Sequence, residues 1–196
     1  KNNYKEAIKK YSKALKINQS NEVCYFKRGQ VKLELKLYKG AIYDFTKAID
    51  IEPTFITAIS ARAKTKEIQG NYLEALNDYE KILQIKNNNC PLTYKRIGLL
   101  YENMNEENKA LFSYSKSLAL NDKHYGVYKL RAKLKMKSKK YEEAIDDLNK
   151  EIRFDQFDDI AFYLRGKCKF DSRDFEGAAD DYSKAYSIKK RITEKI

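Results

Sequence analysis

Apolar residues along this chain come in bursts of helical period, separated by short polar runs. Between Glu22 and Phe55 the pattern places Tyr25, Gly29, Tyr38, Ala41, Phe45, Ala48 and Pro53 at intervals suited to two helices packed as a hairpin. The marker set recurs, so this stretch is one unit of an array. Laid out by its central alanine, the repeat reads Ala7, Ala41, Ala75, Ala110, Ala144 and Ala178, in steps of 34, 34, 35, 34 and 34 residues. The extra residue falls in Asn87-Asn88-Asn89-Cys90, a lengthened polar turn. Three places before each alanine stand Tyr4, Tyr38, Tyr72, Glu107, Tyr141 and Phe175; four after it stand Tyr11, Phe45, Tyr79, Tyr114, Leu148 and Tyr182. Twelve before it are Gly29, Ala63, Gly98, Ala132 and Gly166. Such small residues let two helices approach closely, and the rings fill the space beside them.

The pattern predicts first helices at 23–35, 57–69, 92–104, 126–138 and 160–172, and second helices at 39–52, 73–86, 108–121, 142–155 and 176–189. A half unit at 1–21 holds only a second helix, Tyr4 to Ile17. Full units follow at 22–55, 56–89, 91–124, 125–158 and 159–192, and 193–196 begins a further unit or a cap, all within one domain spanning 1–196. Both ends read as cut from a longer array, which leaves apolar faces there for self-association. Pro91 suits a first helical turn and Pro53 a stop just after a helix. Among the turns inside hairpins only one has glycine, Gly70; Lys36, Asn105, Lys139 and Arg173 stand at the same place elsewhere and argue against the tightest turn geometry there.

The order aromatic, glycine, aromatic, alanine, aromatic, alanine, proline resembles the tetratricopeptide repeat, over nearly the whole chain. The fold class this implies is all-α: a right-handed α-solenoid, or superhelix, of antiparallel helix pairs. The resemblance also implies a non-catalytic adaptor whose first helices line a concave groove holding a peptide of another protein. Carried over place by place, groove residues include Lys27, Lys64, Lys95, Arg96, Leu99, Lys129, Leu130, Lys133, Tyr163 and Lys167. That mixture of cations and apolar groups suits an acidic peptide with apolar anchors. One subfamily grips the terminal carboxylate of chaperone tails through Lys and Asn. This chain departs from that pattern, with Leu99 and Lys133 four places after Lys95 and Lys129, and Leu130 and Leu164 at the other Asn places.

Composition narrows the function classes. With 42% apolar residues the chain can sustain a continuous core, and two prolines and seven glycines suit long helices rather than a β-sandwich. No apolar run approaches the roughly 18 residues needed to cross a bilayer. Three separated cysteines, Cys24, Cys90 and Cys168, imply no disulfide framework, and the default setting is cytoplasmic and reducing. Neither a catalytic constellation, a metal-ligand spacing nor a cofactor loop is present, and the single histidine, His124, reads as a solvated turn residue. The formal charge is +12, concentrated in residues 1–98, where 19 Lys and Arg face 10 Asp and Glu. Such a field favours acidic partners. Nucleic acid is the second partner class, without the repeated base-reading residues a code requires. A purely architectural segment of a larger protein is the third reading.

A second recurrence is chemical. Four units carry Arg before the small residue, Lys three after it and Asp three after the central alanine: Arg28, Lys32 and Asp44; Arg62, Lys66 and Asp78; Arg131, Lys135 and Asp147; Arg165, Lys169 and Asp181. Each Arg and Lys are four apart, hence on one helical face. The unit at 91–124 has Ile97, Tyr101 and Ser113, so all three charges are missing together. Matching within a unit leaves no charge stranded, which reads as a structural cluster joining the two helices of a hairpin. The basic run 125–140 faces the acidic helix after it, leaving Lys129, Lys133 and Lys137 as the most available groove cations.

Overall fold

A computed structural model describes residues 2–193. Among the described residues there are eleven helices and no strand: α1 (Asn2–Ile17), α2 (Glu22–Glu34), α3 (Tyr38–Ile51), α4 (Ile56–Ile68), α5 (Tyr72–Ile85), α6 (Pro91–Asn103), α7 (Glu107–Leu120), α8 (Val127–Lys137), α9 (Tyr141–Phe154), α10 (Asp159–Asp171) and α11 (Phe175–Thr193). Most begin within about a residue of the period-based expectation. Helix α11 runs past its expected end at 189 through Thr193, with no turn before a further unit; 194–196, assigned to that unit or cap, lie outside the described residues.

All five turns inside hairpins place one residue in the left-handed region: Lys36 at φ 59°, Gly70 at 78°, Asn105 at 59°, Lys139 at 58° and Arg173 at 71°. Tight geometry is therefore kept without glycine. The strain is offset because the next residue's N–H caps a carbonyl five residues back, as from Leu37 to Lys32 (2.8 Å), Lys140 to Lys135 (2.9 Å) and Asp174 to Lys169 (2.8 Å). Helix α8 starts at Val127 instead of 126, because Gly126 sits at φ 80°.

By contact the chain divides into two compact units, Lys1–Met104 and Asn105–Ile196. In the first, α2 packs on α3 and α4 on α5, α3 and α5 meet the following first helices, and α2 also touches α4. The core runs through Ala48, Ile59, Ala63, Ala75, Tyr79, Ile82 and Leu100. Gly29 lies so close to Phe45 that a Cβ would stand 2.7 Å from the ring. In the second unit, α8 packs on α9, α10 on α11 and on α9, and α7 on α8. Its core holds Ala132, Ala144, Leu148, Ala161 and Cys168, and burial pushes the Cys168 thiol up to about 11.

Candidate functional site

The charged recurrence condenses into four copies of one arrangement. Each Arg grips its Asp with two parallel bonds: Nε and Nη2 of Arg131 donate to Asp147 at 2.9 and 2.6 Å, with matching pairs at Arg28–Asp44 (2.9 and 2.7 Å), Arg62–Asp78 (3.0 and 2.6 Å) and Arg165–Asp181 (2.8 and 2.5 Å). The Lys one turn on reaches the same carboxylate, at 2.7 Å for Lys32, 3.1 Å for Lys66, 2.9 Å for Lys135 and 3.0 Å for Lys169. Its ammonium also points at a second-helix carbonyl eight residues along, such as Glu143 O at 3.2 Å. The aspartates are buried and the cations half-buried, so this planar fork geometry acts where water screens least.

Sequence reasoning missed a third partner. The remaining Arg nitrogen, Nη1, donates back to the preceding unit's second helix: Arg28 to Ser12 (3.0 Å), Arg62 to Thr46 (3.0 Å), Arg131 to Ser115 (3.1 Å) and Arg165 to Asn149 (2.7 Å). Each cluster thus pins three helices. The signal was a polar acceptor 16 residues before each Arg, disguised by its changing identity. The hydrogen bonds that Arg28 donates to the Asp44 carboxylate raise the Arg28 pKa. Burial alone would push the Asp181 carboxyl up, but hydrogen bonds from Arg165 and Lys169 hold it below its ordinary value.

The groove residues divide between the two units. In the first, Lys27 and Lys64 are exposed, and Lys95, Arg96 and Leu99 are half-buried on α6. Helices α2 and α4 enclose a cleft of about 360 Å³ lined by Phe26, Gln30, Leu33, Glu34, Thr57, Ser60, Ala61 and Lys64. The Lys27 ammonium lies 5.7 Å from the Phe26 ring. In the second unit, Lys133, Tyr163 and Lys167 are exposed and Leu130 is half-buried. Lys129 is not the open cation the sequence suggested: its ammonium is bonded to Asp158, with Glu151 4.0 Å away. Lys137 is likewise engaged, with Glu107 at 3.3 Å.

The Lys129 contact belongs to a local rebuild of the α7–α8 turn. Glu151 occupies the place that is Ala48 and Ala185 in other repeats. Its buried carboxylate accepts the Gly126 N–H at 2.6 and 2.8 Å, tying down the left-handed residue. Burial pushes the Glu151 pKa up, against the opposing pull of Gly126 and Lys129. His124 is half-buried rather than solvated, its Nδ1 3.0 Å from Ser117 Oγ. Ser117 is fully buried, so this Ser–His pair cannot meet a substrate. Among the described residues no group of three His, Cys, Asp or Glu could hold a metal ion, and no helix is long and apolar enough to cross a membrane.

Comparison with known proteins follows the same repeat. A profile described as tetratricopeptide repeat matches residues 23–55 and 93–124, and one described as TPR repeat matches 1–36. The small glutamine-rich tetratricopeptide repeat-containing protein 2 of Saccharomyces cerevisiae is 36% identical over 93 residues, 47% of this chain and 27% of that protein. The chain spans less than a third of the length of such curated relatives. Among solved structures, the C-terminal part of a TPR repeat-containing protein from Cytophaga hutchinsonii superposes with TM-score 0.84 at 18% identity, over 95% of this chain and 74% of that one. YrrB, described as a TPR protein with an unusual peptide-binding site, gives 0.72 at 18% identity, over 91% of each chain. The fold is that of an all-α solenoid of antiparallel helix pairs, and with its six-fold recurring markers the chain belongs to the tetratricopeptide repeat family.

Proposed function

We propose that the chain is a non-catalytic protein-interaction module that holds an acidic peptide of another protein against its first helices. The cleft between α2 and α4 carries this reading: an open surface with an apolar floor at Phe26 and Ala61 and the exposed ammonium of Lys64 beside it. Lys27 adds a second cation on α2, and Lys95 and Arg96 occupy the corresponding stretch of α6 in the same unit. A peptide with carboxylates spaced between apolar side chains meets both needs, and charge complementarity speeds its encounter. Kinship with a yeast tetratricopeptide repeat-containing protein supports a protein partner and does not choose its charge.

The test is a titration with two labelled peptides of equal length, one bearing Glu between leucines and the other Gln at the same places. Tighter binding of the acidic peptide is expected. The double change Lys27→Glu with Lys64→Glu should weaken it about tenfold, ~1.4 kcal/mol, with helicity unchanged. Lys47→Glu with Lys81→Glu, on the second helices α3 and α5, should do little. Equal losses from both pairs, together with displacement by single-stranded RNA, would mean that net charge and not a groove drives association.

A further inference from the structure

The cleft between α2 and α4 presents an acid as well as a cation. Among the described residues the side chains of Gln30, Thr57 and Ser60, which line it, form no hydrogen bond, and Glu34 and Lys64 form no ion pair. Helical hydroxyls away from the cleft turn onto their own backbone instead, Thr65 to Ala61 O at 2.7 Å and Ser113 to Lys109 O at 2.8 Å. Glu34 is the last residue of α2, the end at which the helix dipole disfavours an acid. No cation among the described residues offsets that cost, so packing gives no reason for the charge. The repeat does not require it either. The same place is Ile68 on α4, Asn103 on α6, Lys137 on α8 and Asp171 on α10, while the place of Lys64 is Leu99 on α6 and Lys167 on α10. Along α4 and α6 the matching places are thus both apolar, Ile68 and Leu99, and along α8 and α10 both basic, Lys137 and Lys167. Only α2 and α4 set an acid beside a base in one cleft of known lining.

We propose that the segment held here is an extended peptide of another protein in which an acid and a base are adjacent, the acid on Lys64 and the base on Glu34, with an apolar residue about four places away on Phe26. This rests on the acidic-peptide reading above and adds a requirement to it, because Glu34 repels a segment that bears acids alone. The spacing follows from the geometry. As first helices of successive antiparallel pairs, α2 and α4 run the same way, so Glu34 and Lys64 both lie at the C-terminal end of the cleft and Phe26 lies toward the other. Phe26 and Glu34 are separated by about 12 Å along the axis of α2, a distance an extended chain covers in about four residues. Neighbouring side chains of an extended chain point to opposite sides, so a consecutive acid and base reach the two walls of the cleft, one on α4 and one on α2. The amide of Gln30 and the hydroxyls of Thr57 and Ser60 suit the unpaired N–H and C=O groups that such a chain carries.

Three labelled peptides of equal length separate the two readings. Each carries a leucine and, about four places from it, the pair Glu–Lys, Glu–Gln or Gln–Gln, and each is made with the pair before and after the leucine. In fluorescence anisotropy at low salt on the intact chain, the better Glu–Lys peptide should bind about fivefold more tightly than its Glu–Gln counterpart, the range of an exposed ion pair. Added salt should narrow the gap. Glu34→Gln should erase the difference without lowering the thermal midpoint, since it removes an acid from a helix C-terminus. Glu34→Lys should reverse the preference, favouring a Glu–Glu peptide over Glu–Lys. Equal binding of Glu–Lys and Glu–Gln in both placements, or a preference that survives Glu34→Gln, would overturn the base requirement; if Glu–Gln still outbinds Gln–Gln, the acidic-peptide reading stands without it. Saturable binding by none of the peptides would overturn both.

Discussion

The α8–α9 hairpin and the repeat at 91–124 share the small residue and the central alanine, Ala132 and Ala144 against Gly98 and Ala110, yet differ in what holds them. Arg131, Asp147 and Lys135 pin the first, with Ser115 bound from the helix before it. In the second, Ile97 joins the apolar core of the first compact unit and Tyr101 packs beside it. Ser113 turns its hydroxyl onto its own helix, donating to Lys109 O at 2.8 Å. The two compact units part at Met104 and Asn105, inside this repeat. Apolar patterning thus specifies helices and their pairing face, while the buried ion cluster marks where the array is additionally held in register. Such clusters need not stabilise more than hydrocarbon would, but they penalise misalignment.

The largest expected effect tests the cluster itself. Asp147 is 2% exposed and holds both Arg131 and Lys135, so Asp147→Ala strands two shielded cations and should cost about 3–5 kcal/mol in urea unfolding, while Arg131→Ala, which leaves Lys135 on the carboxylate, should cost less. The double variant should cost clearly less than the sum of the two. Strict additivity would dissolve the distinction between the hairpins.

Acid titration sharpens the same contrast. Asp181 has a depressed pKa, so its contribution is present above the ordinary value of 3.8 and is lost as pH falls through the lower folded value. Glu151 has a raised pKa and the opposite sign: it favours folding in its protonated form, and that contribution is lost as pH rises past its folded pKa. The thermal midpoint of the intact chain should drop steeply below pH 3.8, and Asp181→Asn should flatten that drop. Glu151→Gln, which keeps an acceptor for Gly126, should gain relative stability near neutrality. A profile unchanged by either substitution would remove these carboxyls from the account.

Next comes a change that supplies one charge without its partners. Ile97 is 5% exposed, and Ile97→Arg with Ser113 unaltered should destabilise by about 2–4 kcal/mol, less than a fully trapped charge because a long side chain reaches toward water. The place of this charge was legible because Arg28, Arg62, Arg131 and Arg165 recur in fixed relation to Asp and Lys. Their third partners were not, since Ser12, Thr46, Ser115 and Asn149 share only a polar acceptor atom. The engagement of Lys129 by Asp158 lay further out of reach. It joins side chains 29 residues apart and depends on which way a long lysine turns. Glu151 could have been found, as the one acid at a place otherwise held by Ala14, Ala48, Ile82, Ser117 and Ala185.

Smaller effects compare the small-residue contacts of the two units. A Cβ at Gly29 would stand 2.7 Å from the buried Phe45 ring, whereas at Gly166 the nearest atoms, on the Tyr182 ring, are 3.0 Å away. Gly29→Ala should therefore cost about 1–3 kcal/mol through overpacking. Gly166→Ala should cost less, because Tyr182 is half-buried beside an open groove on α10 and α11 and has room to shift. Equal losses would show that both sites are equally rigid.

The smallest expected effect lies in the turns, where the two units solve one geometry with different residues. Gly70 and Lys139 both hold a left-handed backbone, at φ 78° and 58°. An L side chain there costs roughly 1–2 kcal/mol from the clash of Cβ with the next carbonyl. Glycine avoids the clash but loses more backbone freedom on folding, which returns part of the difference. Lys139→Gly should thus stabilise by about 1 kcal/mol, and Gly70→Lys should destabilise by a similar amount. Nothing packs within 4 Å of a Cβ at Gly70, so that substitution probes backbone strain without a steric clash against neighbours. If Gly70→Lys is neutral, the capping bond from Asn71 N–H to Lys66 O at 2.9 Å, rather than the residue in the turn, fixes this geometry.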